Sequence, residues 1–313
     1  MSASPIRFAL HGGAGVIDRT SLDAEREADC HWQLRNIAEQ AHQALLAGTS
    51  ALDVVQRAVE ALEDCPWFNA GHGSVLNADG VPELDAALMD GRDRRCGAVA
   101  ALRGQRHPIR VARAVLDDGQ HVLLAGDGAA RFAIEQGLTA IDDATLITAE
   151  RHAQWQRASA SGRVSLDHDV AIESSDRCGT VGAVARDLHG HLAAATSTGG
   201  MTNKRPGRVG DTPLIGSGTW ADDRTVCVST TGTGEHFIRA QVAFLVHARM
   251  CFDGCTLATA ATAALDEVAQ LGGCGGLIAI AHDGQLVLPF NTPGMYRAWI
   301  DADGRVDTAI YAC

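Results

Sequence analysis

Apolar residues recur along this chain in two rhythms, one of three to four residues and one close to continuous, and the two come in blocks. Residues 6–10 form a short apolar run, read as a buried strand that enters a glycine turn at His11-Gly12-Gly13-Ala14-Gly15. Helical spacing follows over 29–46 and again over 51–62, where Ser50 is the cap and Leu52, Val55, Ala58, Val59 and Leu62 share one face. Pro66 ends that helix, and 69–74 reads as loop. Strands are expected at 83–89 and 97–102, then a helix at 109–116, a strand at 121–124 and a helix at 129–136. Beyond residue 180, strands at 180–185 and 191–198 pair as a hairpin through the turn at 187–190. A strand at 225–229, helices at 235–250 and 257–270, and strands at 277–281, 285–289 and 295–300 complete the pattern. Because strands and helices do not alternate strictly, the expected class is α+β, with a sheet-on-sheet core covered by helices.

Between about 150 and 179 the pattern fails. Gln, Ser, Arg, His and Asp dominate there, and the stretch reads as a flexible linker that stops abruptly at Gly179-Thr180. The whole chain, 1–313, is otherwise read as one domain. Its composition is that of a globular protein, 46% hydrophobic and 20% charged, with only 4% aromatic residues, so Ala, Val, Leu and Ile must build the core. A net charge of −12, with no basic cluster denser than Arg92-Asp93-Arg94-Arg95, argues against nucleic acid and against acidic membrane surfaces as partners. Residues 1–14 lack a secretory pattern, no apolar stretch reaches the roughly 18 residues of a spanning helix, and nine irregularly spaced cysteines suit free thiols. The expected location is cytoplasmic. Cys251 and Cys255 beside His247 lack a second ligand pair and read as small buried hydrophobes, not as a metal site.

Phosphate-loop, zincin and hydrolase-elbow motifs are all missing. What stands out is a crowd of threonines and glycines at the ends of expected strands: Gly179-Thr180, Thr196-Ser197-Thr198-Gly199-Gly200 and Thr230-Thr231-Gly232-Thr233-Gly234. Acyl transfer needs this chemistry, because glycine lets a backbone N–H approach an oxyanion while a hydroxyl acts as nucleophile or second donor. If the chain were cut before Thr180, that residue would gain an α-amine of pKa about 7.7 to 8.0, suited to a general base near neutrality. Nucleophile and base would be one residue. Before the cut, the same hydroxyl can attack the Gly179 carbonyl, and a glycine tolerates the geometry this requires.

Seven ordered segments then carry a resemblance: His11-Gly12-Gly13-Ala14-Gly15, Asn69-Ala70-Gly71, 83–91, 179–185, 196–204, Gly207-Arg208-Val209-Gly210-Asp211 and Thr231-Gly232-Thr233-Gly234-Glu235. They resemble the plant-type L-asparaginase/isoaspartyl aminopeptidase family of N-terminal-nucleophile hydrolases, over nearly the whole chain. The resemblance implies a four-layer αββα sandwich, cut into a 1–179 α subunit and a 180–313 β subunit, paired as a dimer of αβ heterodimers. It implies hydrolysis of L-asparagine and of β-aspartyl dipeptides with no cofactor for catalysis. Thr180 matches the nucleophile, Thr198 the hydroxyl that holds it, and Thr231 and Gly232 the oxyanion hole. Arg208 and Asp211 match the residues that grip the substrate α-carboxylate and α-ammonium, Gly234 lends a carbonyl to the ammonium, and Asn69 falls in a substrate-binding motif. A guanidinium does meet a carboxylate in two parallel contacts. The backbone carbonyls of Leu62, Glu63, Cys65, Phe68, Ala70 and His72 match a loop that binds a structural sodium ion.

Three features depart from the pattern. His72 stands where the family often has an apolar or small residue and is read as a surface side chain or one at the approach to the site. Cys178 precedes the cut and is expected to alter processing more than hydrolysis. The linker is also short. Glycosylasparaginase is the nearest rival, set apart by Glu235, where it is expected to carry Asp, and by its secretory route. A binding protein that keeps the fold and never matures is the other, and the presence of every expected polar residue speaks against it.

Overall fold

The protein is described here by a computed structural model covering residues 6–17, 22–161, 179–301 and 303–312. The first strand, β1 (Arg7–Gly15), does not stop at the glycines. It runs through them with a register slip between His11 and Gly13, and Gly13 takes φ 111°. A side chain on Gly13 would strike the backbone of Gly179, so glycine is needed there for close approach and not for a turn.

Helices α1 (Ala24–Leu46) and α2 (Ala51–Asp64) begin at Asp23 and Ser50, whose side chains accept from the N–H groups of Arg26 and Asp53. Strands β2 (Leu84–Asp90) and β3 (Cys96–Leu102) follow. Helix α3 (Pro108–Asp118) starts on a proline and ends at the left-handed Gly119. A short β4 (Leu123–Ala125) leads into α4 (Gly126–Glu135).

The expected linker is corrected over its first third, because α5 (Ala149–Ala160) occupies it. Thr148 caps this helix, and the buried Arg151 ties it down, donating from Nε to Gly73 O at 2.6 Å and from Nη1 to Gln154 at 2.8 Å. Its anchors are polar, so apolar periodicity could not announce it. Residues 162–178, Cys178 among them, lie outside the described residues.

The second half supplies β5 (Val181–Arg186), β6 (Leu192–Thr198), β7 (Thr219–Asp222), β8 (Val226–Gly232), β9 (Gly275–Ala281), β10 (Leu286–Val287), β11 (Gly294–Ile300) and β12 (Val306–Tyr311). The single helix expected over 235–250 is two, α6 (Gly234–Ala240) and α7 (Val242–Phe252), broken where Gln241 turns left-handed at φ 50°. Helix α8 (Leu257–Gln270) follows, capped by Thr256.

Two sheets result, one ordered β12-β11-β1-β5-β6-β2-β3-β4 and the other β10-β9-β8-β7. Among the described strands only β3 and β4 pair in parallel. Side chains alternate between distinct apolar clusters. On β1, Phe8 and Leu10 pack with Leu34 and Val55 of α1 and α2, whereas Ala9 and Ala14 join Ile278 and Ile280 of β9. On β9, Leu277 and Ala279 turn the other way, toward Val246 and Ala261 of α7 and α8. Strands buried on both faces explain the near-continuous apolar runs in the sequence. Among the described residues no helix is long and apolar enough to cross a membrane.

Candidate active site

The start of β5, the end of β6, the end of β8 and the start of α6 meet at one end of the central strands of the two sheets. Gly179, Thr180, Thr198, Arg208, Asp211, Gly232 and Gly234 line a common cleft there. Thr180 Oγ1 donates to Thr198 Oγ1 at 3.2 Å, and the same Thr198 oxygen accepts from the Gly200 N–H at 3.0 Å. Thr231 is fully buried beside the cleft. Its Oγ1 accepts from the Ala14 N–H at 3.2 Å and stands 3.1 Å from where a Cβ on Gly179 would lie. A hydroxyl thus sits against the residue whose carbonyl would be attacked.

The charged side of the cleft is carried by the loop after β6. Arg208 donates from Nε and Nη2 to the two carboxylate oxygens of Glu235 at 2.8 and 2.9 Å, which fixes the guanidinium plane. Burial works against the Glu235 charge, yet the hydrogen bonds from Arg208 hold its carboxyl below the usual range. Asp211 is buried and accepts from Thr230 Oγ1 at 2.8 Å. Burial pushes its carboxyl up to about 6, against the pull of Thr230 and Arg208. A Cβ on Gly234 would lie 2.9 Å from Asp211 Oδ1 and 3.0 Å from Arg208 Nη2, so glycine keeps the space over this pair open. A guanidinium and a carboxylate side by side match an α-amino acid group in reverse.

Support for that loop lies deeper. Lys204 is fully buried and donates from Nζ to Glu83 O at 2.8 Å, and the Glu83 carboxylate accepts from the Gly207 N–H at 3.0 Å, one residue before Arg208. Lys204 and Glu83 stood in the motifs without a role, as did Glu235. His11 likewise stands in its glycine-rich motif without a role of its own. Its ring lies between Thr180 O and Ser229 Oγ, at 2.9 and 3.0 Å.

Asn69 does not reach the cleft lining. Its amide donates to Gly200 O at 2.8 Å and accepts from the Val75 N–H at 2.9 Å, which makes it a brace for the loop after Thr198. The 62–72 loop curls tightly. Glu63 O accepts from His72 N at 2.7 Å, and the carbonyls of Leu62, Cys65 and Phe68 accept from Cys65, Phe68 and Ala70. A Cβ on Gly73 would meet Pro66 O at 2.5 Å and Phe68 O at 2.9 Å, so carbonyl oxygens crowd toward that glycine. The His72 ring is half-exposed and faces Thr145 O at 3.2 Å. Cys251 is exposed, against expectation, and His247 bonds Thr225; among the described residues no cluster of His, Cys, Asp and Glu suits a metal.

A family model described as Asparaginase matches residues 4–310. The chain belongs to that family. It is 49% identical to the isoaspartyl peptidase of Salmonella typhimurium over 306 residues, 97% of this chain and 98% of that protein. The isoaspartyl peptidase of Escherichia coli is 48% identical, over 97% of this chain and 95% of its own length. A plant protein, the probable isoaspartyl peptidase/L-asparaginase 2 of Arabidopsis thaliana, is 38% identical over 97% of this chain and 98% of its own.

Proposed function

We propose that this protein is a threonine hydrolase that cuts itself between Gly179 and Thr180 and then hydrolyses the side-chain amide of L-asparagine and the isopeptide bond of β-aspartyl dipeptides. The observation that carries the reading is the Thr180 hydroxyl bonded to Thr198 in the same cleft as Arg208 and Asp211. In the first step Thr180 Oγ1 attacks the Gly179 carbonyl carbon, the C–N bond breaks to free the Thr180 amine and leave an ester, and water then hydrolyses that ester to the Gly179 carboxylate and the Thr180 hydroxyl. In turnover that amine takes the hydroxyl proton as Oγ1 attacks the substrate β-carbonyl. The Thr231 hydroxyl and the Gly232 N–H donate to the oxyanion. The departing ammonia or amine receives the proton, leaving a β-aspartyl ester on Thr180 that water then hydrolyses. Arg208 holds the substrate α-carboxylate, while Asp211 and the Gly234 carbonyl hold its α-ammonium.

The wider frame is an αββα sandwich, supported by apolar clusters that separate helix from sheet, sheet from sheet and sheet from helix. The two subunits, 1–179 and 180–313, and their pairing into a dimer of heterodimers follow from the family resemblance. A cytoplasmic location is supported by the seven free cysteines of the described residues. A sodium ion would be held by the carbonyls of Leu62, Glu63, Cys65, Phe68, Ala70 and His72, as the family resemblance implies, and of these the Phe68 oxygen lies in the curl at Gly73. The ion's role would be to stiffen that loop, which carries Asn69.

The test is hydrolysis. Purified protein is expected to release aspartate from both L-asparagine and a β-aspartyl dipeptide, and Thr180→Ala to release none. Aspartate release by Thr180→Ala at the wild-type rate would remove Thr180 from the chemistry.

A further inference from the structure

Behind Thr180 lies a buried polar row that the threonine chemistry does not itself require. The His11 ring is fully buried, with Nδ1 2.9 Å from the Thr180 carbonyl oxygen and Nε2 3.0 Å from Ser229 Oγ. Thr196 Oγ1 lies 2.7 Å from Ser229 Oγ, and Thr219 Oγ1 donates to Thr196 Oγ1 at 2.7 Å. All three hydroxyl residues are fully buried. Gly182 makes the room, since a Cβ there would strike Ser229 Oγ and stand 2.6 Å from His11 Nε2.

The proton directions follow. A carbonyl only accepts, so His11 Nδ1 carries the hydrogen. Burial pushes the ring down to about 3, despite the Thr180 contact, which leaves it neutral and Nε2 an acceptor. Ser229 then donates to Nε2 and accepts from Thr196, which accepts from Thr219. Each hydroxyl proton in the row points toward His11, and His11 passes one N–H to Thr180.

Thr180 needs such a partner. The β1–β5 register ends at His11 and Gly182, and the β5–β6 register at Val181 and Ser197, so Thr180 lies beyond the last pair of both ladders. Before the cut it is held by peptide bonds on both sides, and afterwards by one, at a chain end of the kind that frays. We infer that His11 is a positioning residue for Thr180, its Nδ1–H standing in for the missing ladder partner while Ser229, Thr196 and Thr219 fix the ring's tautomer. The hydroxyl and the freed amine thereby stay aimed into the cleft. This rests on Thr180 being the nucleophile.

Two substitutions divide the ring's contacts. His11→Asn keeps an N–H close to the Nδ1 position and gives up Ser229, whereas His11→Gln reaches toward Ser229 and gives up Thr180. With folding matched by thermal melting, His11→Gln is expected to lower kcat on a β-aspartyl dipeptide by at least about tenfold with KM changed less than about twofold, and to self-cleave slowly. His11→Asn is expected to keep at least about fivefold more of the kcat than His11→Gln. Equal losses in the two variants, or a wild-type kcat in His11→Gln, would overturn the inference. Should His11→Gln not fold, nitrogen NMR of the wild-type ring decides. A neutral ring protonated at Nδ1 is expected from about pH 5 to 8, and a charged ring or one protonated at Nε2 overturns it. Thr180→Ala run alongside separates the two claims: if it still cleaves itself and hydrolyses substrate, the nucleophile reading fails, and if it is inert while His11→Gln is normal, only the role of His11 fails.

Discussion

Asp211 sets stability against chemistry within one side chain. Its folded carboxyl titrates near 6 because it is buried, above the ordinary value of 3.8, so the folded protein holds the proton more tightly between those values. Stability therefore falls as pH rises through that window, and above it the cost of the buried charge is fully present. Asp211→Asn is expected to raise the melting temperature at pH 7 more than at pH 5, and to raise KM by at least about tenfold because the substrate ammonium loses its counter-charge. Melts at the two pH values and steady-state kinetics check both halves. In the wild type, KM is expected to climb as pH falls below about 6, as the carboxylate is lost. Arg208 offers a planar pair of donors that lysine cannot copy. Arg208→Lys is expected to lose well over tenfold in kcat/KM, more than about 1.4 kcal/mol, and still to self-cleave; unchanged kinetics would take Arg208 out of the site. The supporting threonines divide differently. Thr231→Ala should lower kcat by on the order of 10² to 10³ with little change in KM, since the oxyanion exists only near the transition state. Thr198→Ala should mature slowly as well as turn over slowly, so precursor half-life measured beside the kinetics tells the two apart.

At the scale of elements, β5 is the strand whose fit matters most. Gly182 has Ser229 and His11 on one side and Ala195 O 3.0 Å from a would-be Cβ on another, with no room for a methyl group. Gly182→Ala is expected to destabilise by about 1–3 kcal/mol, from overpacking, and to slow self-cleavage; a chemical melt and a maturation time course measure each, and a neutral substitution would show the strand to be free to shift. The strands of the two sheet centres were legible because they are apolar on both faces. β7 escapes the apolar pattern because Trp220 and Ala221 are its only apolar residues, and β12 because it is a half-buried edge strand interrupted by Asp307 and Thr308. The break at Gln241 left no mark, since a non-glycine in the left-handed region carries no sequence signal. Threonine and glycine clusters did point to the strand ends that meet at the cleft. His11 could not be found that way: its partners lie 169 and 218 residues along the chain, and the glycines around it read as a turn.

On the scale of the whole molecule, the proposed enzyme is made as one piece and works as two. Residues of both proposed subunits form the site's surroundings: Ala14 donates to Thr231, His11 meets Thr180, and Glu83 braces the loop of Arg208. Cutting before Thr180 would leave β1 still paired to β5 and β2 to β6, so the sheet can survive the break. The net charge of −12 leaves a small zwitterion, held by paired charges in the cleft, a better match than any polyanion. The most direct measurement is the mass and N-terminal residue of the chains in freshly purified protein, wild type beside Thr180→Ala. The account predicts two wild-type chains, divided between Gly179 and Thr180 with threonine at the new N-terminus, and a single intact Thr180→Ala chain. A wild-type chain that stays whole while hydrolysing β-aspartyl dipeptides, or a Thr180→Ala chain cut at the same bond, would contradict it.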